Sequence, residues 1–182
     1  MSRFLFASFA IITSFAGACG EKNVEAIAGP KEGVEVFFAL KLVHPENSSL
    51  LWEIESGEPI PPDYSLFPMN EFHSGTGEIT GEQPIILKKT NLITAEMVET
   101  AVLSGDRDHT VLVKLTKKGA SRLTHATKQM RLGRDRIAIV FENRCLIAPT
   151  VMAILSDQIV VNGLTGPDEA KRLCHLLTTS TQ

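Results

Sequence analysis

The chain has 182 residues, 43% of them hydrophobic and 21% charged, enough for one ordinary domain with a mainly aliphatic core and too little for two. The formal net charge is −3, and without a leader that contains only Arg3 it becomes −3 − 1 = −4. That balance excludes nucleic acid as a partner, because phosphate binding needs a concentrated basic surface; the diffuse basic stretch from Lys114 to Arg136 reads as a solvated helix face.

Arg3 gives the N-terminus a positive start, Phe4 to Phe15 is apolar apart from Ser8, Thr13 and Ser14, and Ala16-Gly17-Ala18 offers small residues to a peptidase. A helix over that apolar run rises roughly 18 Å, too short for a hydrocarbon core of about 30 Å, so residues 1–18 read as a signal peptide. No later window is long and apolar enough to span a membrane as a helix. Cys19 follows directly and resembles the bacterial lipobox cysteine, with Ala16 where that pattern prefers Leu. Lipidation and ordinary cleavage cut the same bond, between Ala18 and Cys19, and differ only in whether Cys19 carries lipid. Lipid at Cys19 is the expectation: a chain exported to the periplasmic face of a membrane, or secreted and soluble if Cys19 stays unmodified. Residues 19–33 are polar and broken by Gly29-Pro30, and read as a flexible tether. The folded domain is expected over residues 34–178, with 179–182 as a tail.

Val34 to Val43 alternates as a strand, and His44-Pro45-Glu46-Asn47 ends it with turn chemistry. Ser49 is positioned to cap a short helix over Leu50 to Ser56, stopped by Gly57. Pro59, Pro61 and Pro62 hold the chain extended through Tyr64 and Phe67. Asn70 to Gln83, with Gly75, Gly77 and Gly81, reads as a loop, and Pro84 to Lys89 as a short strand. Thr94 is expected to cap a helix carrying Met97, Val98, Ala101 and Val102. Val111 to Leu115 is a strand, after which Thr116 caps a helix that buries Ala120, Leu123, Thr127 and Met130 and stops at Gly133. Ile137 to Phe141 and Cys145 to Ala148 form a hairpin, Gln158 to Val161 is the last strand, and Pro167, Asp168 and Glu169 start a final helix with Ala170, Leu173, Cys174 and Leu177 on one stripe. The order predicts an α+β fold: a single mixed or antiparallel sheet with helices packed on it.

Several of these segments resemble the periplasmic head domain of SecD, a component of bacterial protein export. Val113-Lys114-Leu115-Thr116 with Gly119-Ala120 resembles that family's strand and helix start, and Arg134-Asp135-Arg136-Ile137-Ala138-Ile139-Val140 its next strand. Ile147-Ala148-Pro149 and Asp168-Glu169-Ala170 follow in order, while Phe38 to Glu46, Pro61-Pro62-Asp63-Tyr64 and Leu87-Lys88-Lys89 extend the likeness upstream. The family's Asp-Gly hairpin is here Glu142-Asn143, and the transmembrane helices and intramembrane charges of whole SecD have no counterpart. The resemblance implies a SecD head-like fold and a non-catalytic envelope module that contacts translocating polypeptides or Sec and other envelope proteins. It does not imply a proton-driven motor.

Catalytic constellations give no competing signal: there is no G-x-S-x-G elbow, no His-Glu-x-x-His and no phosphate-cradling loop. His44, His73, His109, His125 and His175 are scattered, and Asp106, Asp108 and His109 read as an ordinary turn. Cys145 and Cys174 match no metal spacing and read as buried thiols, a disulfide being the alternative. No catalytic residue, metal or cofactor is expected. Tyr64, Leu66, Phe67 and Phe72 are the candidates for contact with an unfolded peptide, against the simpler reading that they fill a core. The alternative function is a small envelope hydrolase on the same frame.

Overall fold

In the computed structural model, which describes residues 37–72, 79–104 and 109–179, period-two geometry decides the first element. Strand β1 (Phe38–Leu42) sends Phe38, Leu40 and Leu42 into one core, while the neighbouring Phe37 and Val43 enter another. The leader, Cys19 and the tether lie outside the described residues.

Helix α1 (Asn47–Glu55) begins earlier than the expected cap at Ser49. Glu46 occupies the N-cap, and the Ser49 hydroxyl donates to the Glu46 carbonyl at 3.1 Å. Asn47 Oδ1 accepts the Ile86 N–H at 2.8 Å, which ties the helix to the next hairpin.

That hairpin corrects the reading of residues 70–83 as a loop. Strands β2 (Tyr64–Phe72) and β3 (Ile79–Lys88) pair from Tyr64↔Lys88 to Phe72↔Ile79, with a bulge between Glu71 and Phe72. The distal part of β3 is largely exposed, so it carries no apolar alternation for sequence reasoning to find.

The expected helix after Thr94 is a second correction. Ile93–Thr94 forms the short strand β4, Ala95–Met97 a 3-10 turn, and Val98–Leu103 strand β5. Val98 and Ala101 are the buried residues of β5, a spacing of three that imitates a helix. A bulge between Val98 and Thr100 produces it, by slipping the strand one residue against its partner.

The rest follows expectation closely: β6 (Val111–Leu115), α2 (Lys117–Gln129), β7 (Ile137–Phe141), β8 (Arg144–Ile147), β9 (Gln158–Val161) and α3 (Pro167–Thr179). Thr116 caps α2, its hydroxyl accepting the Gly119 N–H at 3.2 Å. Glu142 and Asn143 take φ of 48° and 66°, the left-handed pair that a two-residue hairpin turn needs.

The fold is α+β, but its strands divide between two sheets instead of one. The larger has the order β3-β2-β8-β7-β1-β4 and the smaller β5-β6-β9. The larger sheet curls: Val43, just past β1, bridges Leu87 of β3, and the His44 N–H reaches the Ile86 carbonyl at 2.9 Å. Inside the curl lies a small core of Val43, Ile85, Leu87, Ala138, Val140, Cys145 and Ala148. The larger core lies on the other face, where Phe38, Leu40, Ile139 and Phe141 meet Val111, Val113 and Val161 of the smaller sheet and Leu123, Leu173 and Leu177 of the helices. Which strands share a sheet depends on packing between these layers, and no local pattern encodes it.

Candidate functional site

An apolar groove lies where the two sheets approach each other. β9 ends the smaller sheet, paired with β6 on one side only. Beside it the groove, of about 350 Å³, is floored by Leu40, Ile137 and Ile139 of the larger sheet. Ile159 and Val160 of β9 form one wall, and residues 149–153 with Leu155 form the other. The volume falls in the range of ordinary ligand sites.

Both ends of the second wall are fixed by hydrogen bonds. The Val151 N–H donates to the Asp135 carbonyl and the Gly133 N–H to the Val151 carbonyl, each at 2.9 Å. At the far end the Leu155 N–H donates to Thr127 Oγ1 at 3.1 Å, and the Thr124 hydroxyl donates to the Leu155 carbonyl at 2.9 Å. Between these anchors Met152 and Ile154 stand out into solvent, 73% and 52% exposed, and Val160 of the other wall is also 52% exposed.

The apolar surface continues across the smaller sheet. Val102, Leu112 and Val160 are direct cross-strand neighbours on its outer face, flanked by the polar row Thr100, Lys114 and Gln158. Lys114 Nζ pairs with Glu99 at 3.1 Å at the border of the stripe. β9 itself carries neither Lys nor Pro, the usual guards of an exposed edge strand. Among the described residues the groove has Thr150 and Gln158 as its only polar side chains, and neither ionises. This arrangement suits burial of an aliphatic segment and offers no acid, base or metal ligand.

The residues expected to touch peptide lie elsewhere. Tyr64, Leu66 and Phe67 are half-buried on β2, an interior strand between β3 and β8. Tyr64 meets the His44 ring edge-on at 4.6 Å. Phe67 packs on the inner core, with Lys41 Nζ 5.7 Å from its ring centre. Lys41 is itself buried, donating to the Lys89 carbonyl at 2.7 Å and the Lys88 carbonyl at 3.3 Å, and burial lowers its pKa. The Phe72 backbone ends β2 opposite Ile79. The structure brings Tyr64, Leu66 and Phe67 to one strand but not to the groove. Sequence reasoning missed Met152, Ile154 and Val160; the one signal was a run of apolar residues, Val151 to Leu155, with neither helical nor strand period.

The remaining chemistry is structural. Cys145 and Cys174 are both free thiols; burial pushes Cys145 up to about 12 and raises Cys174 as well. Among the described residues no group of three His, Cys, Asp or Glu side chains could hold a metal. Lys117, Lys118, Arg122 and Lys128 are exposed along α2, the solvated basic face expected. Arg144 and Glu169 form an ion pair that joins β8 to α3, and Glu169 Oε2 also accepts the Thr165 N–H at 2.6 Å and hydroxyl at 2.8 Å. Burial alone would raise the Glu169 carboxyl, but the Thr165 and Arg144 donors outweigh it and hold its pKa below the ordinary value.

No curated protein matches the chain. It is similar to a crystal structure of SecDF in a super-membrane-facing form, at 21% identity and a TM-score of 0.49, over 78% of this chain and 18% of that one. It is similar also to SecDF solved as a membrane component that enhances protein export, at 20% identity and a TM-score of 0.49, over 80% of this chain and 63% of that one. The chain thus spans less than two thirds of either protein. The family described as SecDF, P1 head subdomain, matches residues 70–181, from the end of β2 to beyond α3. The chain belongs to the SecDF P1 head subdomain family.

Proposed function

We propose that this chain is a non-catalytic module of protein export that holds an extended apolar segment of a polypeptide in the groove beside β9. The observation that carries the reading is the combination of an unguarded edge strand with an aliphatic trough along it. A strand laid against β9 gains backbone hydrogen bonds, and its alternate side chains enter the groove. Family membership supports a role in export, as does the likeness to a membrane component that enhances protein export. The leader at 1–18, lipid at Cys19 and the tether at 19–33 would place the groove at the periplasmic face of a membrane.

The test uses a fluorescent, unstructured peptide of alternating valine and serine. Val160→Asp puts a charge on the lip of the groove and is expected to weaken binding at least tenfold, ~1.4 kcal/mol, with the circular dichroism unchanged. Leu66→Ser probes the other proposed surface, formed by Tyr64, Leu66, Phe67 and Phe72, and should leave binding at the wild-type level. Loss with Leu66→Ser and none with Val160→Asp would move the contact to β2 and sink the groove.

A further inference from the structure

A second cavity, unrelated to the groove, opens between β2 and β8. These strands are parallel and share a single register pair, Met69↔Cys145. Beyond that pair lies a cleft of about 420 Å³, with Asn70, Glu71, Thr80, Gln83 and Arg136 around it and the 146–148 segment as its far side.

Two of these side chains are left with unused donors. Asn70 is only 7% exposed, yet its Nδ2 has no hydrogen-bond partner. A buried amide N–H without an acceptor is costly and uncommon in folded proteins. Arg136 Nε donates to the Ala148 carbonyl at 2.7 Å, which points the guanidinium along the same wall. Among the described residues Arg136 makes no ion pair. Its neighbour Asp135 is already committed to Arg131, accepting its N–H at 2.8 Å, Nε at 3.0 Å and Nη2 at 2.8 Å. Among the described residues Glu71 is the one acid lining the cleft, and it is exposed. Among the described residues the site therefore combines a half-buried cation outside any ion pair with a buried amide donor that has no acceptor, both residues lining one cavity.

We propose that this cleft binds a carboxylate, which supplies the acceptor Asn70 lacks and the charge Arg136 lacks. A carboxylate takes two donors at once, and charge-assisted bonds of this kind are the stronger class. On a polypeptide the group comes from a free C-terminus or from an acidic side chain. The proposal does not rest on the groove.

The experiment measures anisotropy of three labelled hexapeptides of glycine and serine with the full chain, at low and moderate salt. One has a free C-terminal carboxylate, one a C-terminal amide and a single internal Glu, and one an amide with no acid. The first, the second or both should bind at least tenfold more tightly than the third, and salt should weaken that binding. Arg136→Gln and Asn70→Ala should each bring the acid peptides to the level of the neutral one. Arg136→Lys keeps the charge and should retain part of the affinity if Arg136→Gln fails to fold. Equal binding of all three peptides, or wild-type affinity in Asn70→Ala and Arg136→Lys together, would overturn the site. The probes carry no large apolar side chain, so failure here leaves the groove reading untouched.

Discussion

Glu169 occupies a place where a carboxylate is expensive to keep charged, and three donors keep it so. Removing the charge while keeping the shape leaves the half-buried Arg144, whose Nη1 already lacks a partner, without its counter-ion. Glu169→Gln is therefore expected to cost about 3 kcal/mol, read from urea midpoints at neutral pH. Because the folded pKa lies below the ordinary one, the stabilisation is complete above the ordinary carboxylate range. It is lost as pH falls through the lower, folded value. Wild type should lose stability across that acid window, and Glu169→Gln should show a shallower loss there. An unchanged slope would mean that other carboxylates govern acid unfolding. Sequence reasoning placed Glu169 correctly at the start of the final helix but gave no sign of its burial or of its partner. Its partner Arg144 is 25 residues away, and only the packing of α3 against the β7–β8 hairpin brings them together.

At the scale of elements, α2 shows why some segments were legible. Its N-cap and buried stripe are written within it, Thr116 and then Gly119, Leu123 and Thr127 facing inward, although the helix ends at Gln129 with Met130 extended as its C-cap, short of the Gly133 expected to stop it. Gly119 adds a tertiary requirement, because a Cβ there would sit 2.7 Å from the Met97 carbonyl oxygen. Gly119→Ala is expected to force α2 away from the 3-10 turn and destabilise the protein by about 1–3 kcal/mol, against the small gain that alanine brings to a free helix. A rise in melting temperature would show that the turn yields instead. β5 shows the opposite case. Its bulge turns a period of two into a period of three, and nothing in Val98 to Leu103 announces the slip. The β2–β3 hairpin escaped notice because its outer half is wet on both faces, where binary patterning has nothing to report. The groove was illegible for a related reason: residues 149–155 have no regular structure, and the edge position of β9 belongs to the sheet, not to the strand.

Over the whole molecule, two cores share one curled sheet, and β1 divides them. It pairs with β7 over five residues and contributes Leu40 to the floor of the groove. The stretch that matches the family begins at residue 70, downstream of β1 and of most of β2. A fragment of residues 70–182 would leave β7 with β8 but without β1, one of its two antiparallel neighbours, and open Ile137, Ile139 and Val140 to water. Such a fragment is expected to lack cooperative thermal unfolding and to show poor dispersion of amide resonances. A sharp transition in the isolated fragment would refute this. The segment that kinship marks out is thus smaller than the segment that must be inherited together. A cut at residue 70 would separate β1 from the β7 strand it pairs with, so the preceding residues are expected to be needed with the matched stretch for the head to fold.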